Sequence, residues 1–426
     1  MSAVTDSQAA APSPAPKPAR RTGRRRFTLA QAMVAAAGVL VLFSVVRMIT
    51  GAEGITSTGQ VSTALQLAVP IGLAGLGGVW AERSGVINIG LEGMMILGSW
   101  TGAWAAVQWG PWTGVLAGIV GGALGGLVHA IATVTFGVNH IVSGVAINVL
   151  AVGVTRYLSS FTFAHMPGGT VKQSPTIADI DSITVPGLSP WLDELNGKHW
   201  FLVSDLAGFL GGLITNLSLL TVVAVALVPL SWWVLRGTSF GLRLRSCGEN
   251  PVAAETLGVN VYRYKYLAVL ISGGCAGLGG AFIAMVASNI YQEGQTGGRG
   301  YIGLAAMIFG NWTPGGMAMG AGLFGYTDSL NLRGGGQNVH ALLLLLAILL
   351  ALAVLWCLYR RTYLTALAAG IAGAGLLVWY LSVNEVPSQF VTAAPYVATL
   401  LVLALSAQRL RMPKADGLQY RKGEGA

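Results

Sequence analysis

Apolar runs of membrane-spanning length follow one another along most of this chain, and no other feature restricts its fold so tightly. A hydrocarbon layer of about 30 Å needs roughly 20 apolar residues per helix. Runs of that kind occupy 29–50, 61–80, 86–107, 112–136, 141–161, 206–235, 266–290, 339–359, 363–381 and 393–410. Within a bilayer every backbone N–H and C=O must be paired inside its own structure, so such runs become helices. Hydrophobic residues make up 54% of the 426 positions and charged residues only 10%, where a soluble domain carries roughly 25%. The 60 glycines suit helices that pack backbone to backbone in lipid. The expected fold is an all-α integral membrane protein with about ten transmembrane helices. Residues 29–410 form its membrane domain, between a basic disordered cytoplasmic tail at 1–28 and a second cytoplasmic tail at 411–426.

A net charge of +9 does not indicate a nucleic-acid partner, because the charges are not gathered on one face. Basic residues mark the cytoplasmic side of a membrane protein. Arg20, Arg21, Arg24, Arg25 and Arg26 precede the first run, and Arg409, Arg411, Lys414, Arg421 and Lys422 follow the last. The loop at 236–265 holds Arg236, Arg243, Arg245, Arg263 and Lys265, so it reads as cytoplasmic. The stretch at 161–205 holds Asp179, Asp181, Asp193, Glu194 and Asp205 against Lys172 and Lys198, and reads as external. An even number of crossings then leaves both termini in the cytoplasm. Cys247, Cys275 and Cys357 fall in that inner loop and in two apolar runs, which implies neither a disulfide framework nor a metal cluster.

Two places break the pattern of simple crossings. Between 300 and 332 the apolar residues exceed one pass, but Asn311, Trp312, Thr313, Pro314, Gly315 and Gly316 interrupt them. Thr313 is placed to cap a helix and Pro314 to occupy its first position, which predicts a broken or re-entrant pair of short helices. The second break is the polar turn at 80–85, followed by Asn88 and Glu92. Interrupted segments in both halves of a transport protein point towards a binding site.

Candidate site residues fall in two groups. In the loop at 236–265, Glu249, Asn250, Pro251, Ala253, Ala254, Leu257 and Gly258 lie in the sequence GENPVAAETLG. Asn250 suits an N-cap, Pro251 the first helical turn and Gly258 a left-handed C-terminal position, so a capped helix of about two turns is expected. A helix shorter than ~12 residues is marginal alone and gains stability by docking. Ala253 and Ala254 allow close approach, and Leu257 supplies an anchor. The second group borders a solute passage: Asn88 and Glu92, one helical turn apart, with Asn148 and Asn311. A carboxylate facing lipid costs several kcal/mol unless paired or wetted, although Arg83 or free backbone groups are an equally good explanation for Glu92. Asn148 and Asn311 read first as glue between helices, and His129 as a satisfied structural histidine. An intramembrane serine protease built on Ser143 with His129 or His140 lacks the Gly-x-Ser-x-Gly setting, and no His-Glu-x-x-His occurs. A proton-coupled secondary transporter of a small polar solute would use Glu92 and broken helices, but it leaves the capped cytoplasmic helix unexplained.

The loop GENPVAAETLG resembles the coupling loop of ABC-type importer permeases. The stretches ERSGVINIGLEGMM at 82–95, NHIVSG at 139–144 running on to Asn148, and PYVATL at 395–400 resemble the branched-chain amino acid, ribose and nucleoside permease family, nearest its nucleoside or simple-sugar branch. The likeness covers 59–332 and 386–421. It implies a multi-pass permease of the bacterial cytoplasmic membrane that moves nucleosides or simple sugars by alternating access. It also implies an ATP-binding cassette ATPase subunit, a second related permease or a second copy, and an external solute-binding protein or lipoprotein. The sequence holds no Gly-x-x-x-x-Gly-Lys-Ser/Thr phosphate loop, so ATP would be used by the partner and no cofactor bound here. Two departures stand out: a longer basic head, and a helix pair at 339–381 that looks inserted before the final crossing.

Overall fold

The computed structural model describes residues 29–423 apart from 334, 388, 392 and 394–409. The basic head at 1–28 and all but the two ends of the run at 393–410 therefore lie outside the described residues. Secondary structure is helical except for two strands of two residues, β1 (Ser182–Ile183) and β2 (Leu217–Ser218), paired antiparallel with Ser182 opposite Ser218.

Among the described residues, seven segments are long and apolar enough to cross a membrane: Thr58–Arg83, Pro111–Thr135, His140–His165, Leu219–Gly237, Val261–Ala287, Gly335–Tyr359 and Tyr363–Ser382. Helix α1 spans Leu29–Thr50. Other apolar runs are interrupted locally. After α2 (Thr58–Arg83) the chain is not helical through 84–90, so α3 (Leu91–Trp109) starts later than the apolar run. The run at 206–235 is not one crossing. It splits into α7 (Val203–Ile214) and α8 (Leu219–Gly237), because Asn216 adopts a left-handed φ of 52° and Ser218 caps α8 through Thr221 N–H.

A glycine seam joins α3 to α4 (Pro111–Ala130) and to α11 (Val261–Phe282). A Cβ placed on Gly98 would lie 2.3 Å from Gly277 Cα, and one on Gly122 would lie 2.2 Å from the Gly273 carbonyl oxygen. Both separations are shorter than van der Waals contact, so only glycine permits this approach. Each of α4 and α11 ends in a π turn, Ile131–Thr135 and Ile283–Ala287. Helix α5 (His140–Phe161) flanks α3, with Asn139 capping it through Ile141 and Val142 N–H.

The broken pair is present as α12 (Arg299–Phe309) and α13 (Pro314–Leu332), with Thr313 accepting from Gly316 N–H and Pro314 in the first turn. Only α12 is short. It lies along α2 with Gly303 against Gly75, whereas α13 returns along the same helix until Gly325 meets Ala64 and Ala68.

The two ends of α2 touch different parts of the chain. Near its start, Val61 lies against Gly212 of α7, and at its finish the Arg83 carbonyl lies against Gly248. The stretch at 161–205 is partly structured there. It contains α6 (Leu188–Gly197), and Asp205 receives a buried ion pair from Arg47 at 2.8 Å. Helices α14 (Gly335–Tyr359) and α15 (Tyr363–Ser382) form a peripheral hairpin, with Ala341 and Leu345 of α14 meeting Val46 of α1 and Ile55 in the turn after it.

Candidate functional site

The N termini of α3 and α12 meet, and Glu92 joins them. Its two carboxylate oxygens accept from Gly298 N–H at 2.9 Å and Gly300 N–H at 2.7 Å, the unpaired donors at the start of α12. An anion at a helix N terminus also opposes the positive end of the helix dipole. Gly300 is glycine because a Cβ there would lie 2.6 Å from Glu92 Cα. Asn88, fully buried, donates to Ser272 Oγ on α11 at 2.9 Å and accepts from Gly90 N–H at 3.1 Å. Asn148 on α5 accepts from Gly93 N–H at 2.7 Å and donates to the Ile89 carbonyl at 3.0 Å and to Tyr301 Oη at 2.9 Å. Three of the four residues expected along the passage are thus assembled at one junction. Their polar groups are spent on backbone and side-chain partners within the chain.

Asn311 is elsewhere. It sits in the turn between α12 and α13 with φ 52°, where its side-chain oxygen accepts from Arg411 N–H at 2.7 Å. Beside it Arg83 donates to the Trp312 carbonyl at 2.8 Å, and Trp312 Nε1 donates to Glu82.

His129 and Ser143 do meet, at 2.9 Å, with His129 Nε2 3.0 Å from the Ile87 carbonyl. A carbonyl only accepts, so Nε2 carries the proton and Nδ1 accepts from the Ser143 hydroxyl. His140 Nδ1 accepts from Ile87 N–H at 3.2 Å. Both rings therefore hold the non-helical 84–90 segment between α4 and α5, and both are buried with Ser143.

The expected capped helix is α10 (Pro251–Thr256), preceded by α9 (Ser239–Glu249). Asn250 accepts from Ala253 N–H at 3.0 Å, Pro251 occupies the first turn and Gly258 has φ +80°. Glu249, the last residue of α9, is exposed. Ala254 is only 2% exposed and packs with Cys247 and Val261 of the same chain. Its side chain therefore packs on its own chain, whereas that of Ala253 beside it is exposed. The open face of α10 carries Val252, Ala253, Thr256 and Leu257, the last 84% exposed. An isolated apolar side chain that far into solvent is suited to an apolar socket.

The sequence model of the family described as "Branched-chain amino acid transport system / permease component" matches residues 60–355, from α2 into α14. The chain belongs to that family. This permease is 34% identical to the guanosine ABC transporter permease protein NupQ of Bacillus subtilis, over 85% of its own length and 97% of the relative's. It is 35% identical to the nucleoside ABC transporter permease protein NupC of Lactococcus lactis, with the same coverage of both chains. A putative glucose ABC transporter permease protein, TsgC13 of Haloferax volcanii, is 34% identical over 65% of the permease and 78% of the relative. No solved structure matches at a significant level. The protein is thus a multi-pass membrane permease subunit of an ABC importer and not itself an enzyme. The family match ends inside α14, so the hairpin at 339–381 is partly within the shared region.

Three participants at these sites escaped sequence reasoning: Tyr301, Ser272 and the Glu82–Trp312 pair. Glu82 left a signal, an acid directly before Arg83 at the end of an apolar run.

Proposed function

We propose that this permease carries nucleosides across the membrane, with simple sugars the second reading, and that an ATP-binding cassette ATPase docks on α10. Similarity over nearly the whole length to two permeases named for guanosine and nucleosides supports the substrate class. The observation that carries the mechanism is α10 itself: capped at both ends, backed by Ala254 and presenting Leu257. Closure of the ATPases would push on this helix and tilt α2 and α3 through Gly248, which touches the Arg83 carbonyl. An external solute-binding protein would deliver the solute, and a second related permease or a second copy would complete the passage. Asn88, Glu92 and Asn148 hold the two broken helices whose movement would open it.

Uptake by proteoliposomes containing the permease pair and its ATPase, with the solute-binding protein supplied on the external face, tests the substrate. ATP-dependent accumulation of guanosine is expected, reduced by other nucleosides and not by glucose. Accumulation of glucose alone would transfer the reading to sugars, and guanosine entry driven by a proton gradient without ATP would replace it with a secondary carrier.

The charge asymmetry supports 161–205 outside and 236–265 inside. In intact cells an impermeant thiol reagent is expected to label Ser182→Cys, and to label Leu257→Cys only after the membrane is opened. The opposite result reverses the orientation.

A further inference from the structure

Residues 410–423 fold back as a strap under the α9–α10 end of the bundle. Arg411 N–H reaches Asn311, Ala415 N–H donates to the Gly248 carbonyl at 2.8 Å, and the Gln419 amide donates to the Gly137 carbonyl. Tyr420 donates its hydroxyl to Glu255 of α10, and its ring lies 5.6 Å from that of Tyr262 on α11. The strap thus ties the turn between α12 and α13, the end of α9, the loop before α5 and α10 to one another.

At its centre Asp416 is 6% exposed, and neither carboxylate oxygen meets a hydrogen-bond donor among the described residues. The group it faces is Glu82 of α2, also buried, whose carboxylate already takes Trp312 Nε1. Two carboxylates in contact in a buried site do not both stay ionised, because mutual repulsion adds to the cost of desolvation. A single proton between them removes the repulsion and supplies the missing donor. We propose that Glu82 and Asp416 share one proton, and that this proton holds the strap against the base of α10. The consequence for transport rests on α10 being the ATPase-docking helix; the proton itself does not.

Other charged or titratable groups near the pair are Arg83 on α2, Arg236 on α8, Arg245, Cys247 and Glu249 on α9, and Lys265 on α11. Burial is the largest influence and pushes the Asp416 carboxyl up to about 7, against the lowering pull of a proton shared from Glu82 and of the Lys265 and Arg83 charges. An acid whose value is raised on docking binds its proton more tightly when docked than when free. Docking is therefore strongest at low pH, weakens as pH rises from the ordinary carboxylate range to about 7, and levels off above that. The docking constant is therefore expected to be smaller at pH 8 than at pH 5.

The test uses the full chain in lipid nanodiscs with Cys275→Ser and Cys357→Ser. Cys247 stays, since it is buried and burial pushes its thiol up to about 11. Nitroxides on Leu257→Cys and Leu418→Cys, both exposed positions, report the separation of strap and α10 by double electron–electron resonance. One narrow distance is expected at pH 5 and a growing second, longer distance at pH 8. Asp416→Asn, whose amide donates to Glu82 at any pH, should keep the narrow distance throughout. Glu82→Gln should likewise flatten the response. Identical distributions of the parent at both pH values, or a pH response that persists in Asp416→Asn, would overturn the proposal. The distance is read without an ATPase, so its failure leaves the docking of α10 standing. Failure of the docking helix would in turn leave the distance unchanged.

Discussion

Glu92→Leu is expected to lower the yield of folded permease more than tenfold. The carboxylate is the partner of two N–H groups at the start of α12, and its removal leaves both without an acceptor. Each buried donor so abandoned costs about 1–3 kcal/mol, and tenfold in a folding equilibrium corresponds to about 1.4 kcal/mol. Glu92→Gln retains one acceptor oxygen and turns an NH2 towards the other donor, so it should fall between the parent and Leu. Fluorescence-detected size exclusion and thermal unfolding of the three proteins read this order. A full yield of well-folded Glu92→Leu with lost uptake would restore Glu92 to the solute passage.

At the opposite group of residues, Leu257→Asp is expected to reduce ATP-driven uptake at least tenfold while the isolated permease melts as the parent does. Its side chain touches little of its own chain, and a carboxylate forced into an apolar socket costs about 1–3 kcal/mol or more. Ala254→Arg should behave in the contrary way. Ala254 is enclosed by Cys247 and Val261, so a long charged side chain there breaks the seat of α10, and overpacking alone costs about 1–3 kcal/mol. The loss should appear first as a lowered melting temperature of the permease by itself. Unimpaired uptake by Leu257→Asp would remove α10 from the contact with the ATPase.

What was legible beforehand was local. Asn250, Pro251 and Gly258 bound α10, and Thr313 with Pro314 starts α13, because capping is decided by residues three or four positions apart. Thr215 and Asn216 were visible inside the run at 206–235, but an apolar average over a window conceals one polar turn. Contacts between distant segments were not legible. Nothing near Glu92 announces that its partners lie at Gly298 and Gly300, and nothing near Asp416 names Glu82. Burial likewise divided Ala253 from Ala254, since two adjacent alanines of one short helix look alike until the rest of the chain is packed against it.

The seam of Gly98, Gly122, Gly273 and Gly277 bears on how such a protein moves. A surface made of main chain has no rotamers with which to yield, so sliding there would drive carbonyl oxygens into one another. Helices α3, α4 and α11 are therefore compelled to travel as one rigid block. At its margins lie the π turns at Ile131–Thr135 and Ile283–Ala287 and the non-helical 84–90 segment, where the chain leaves the regular helix.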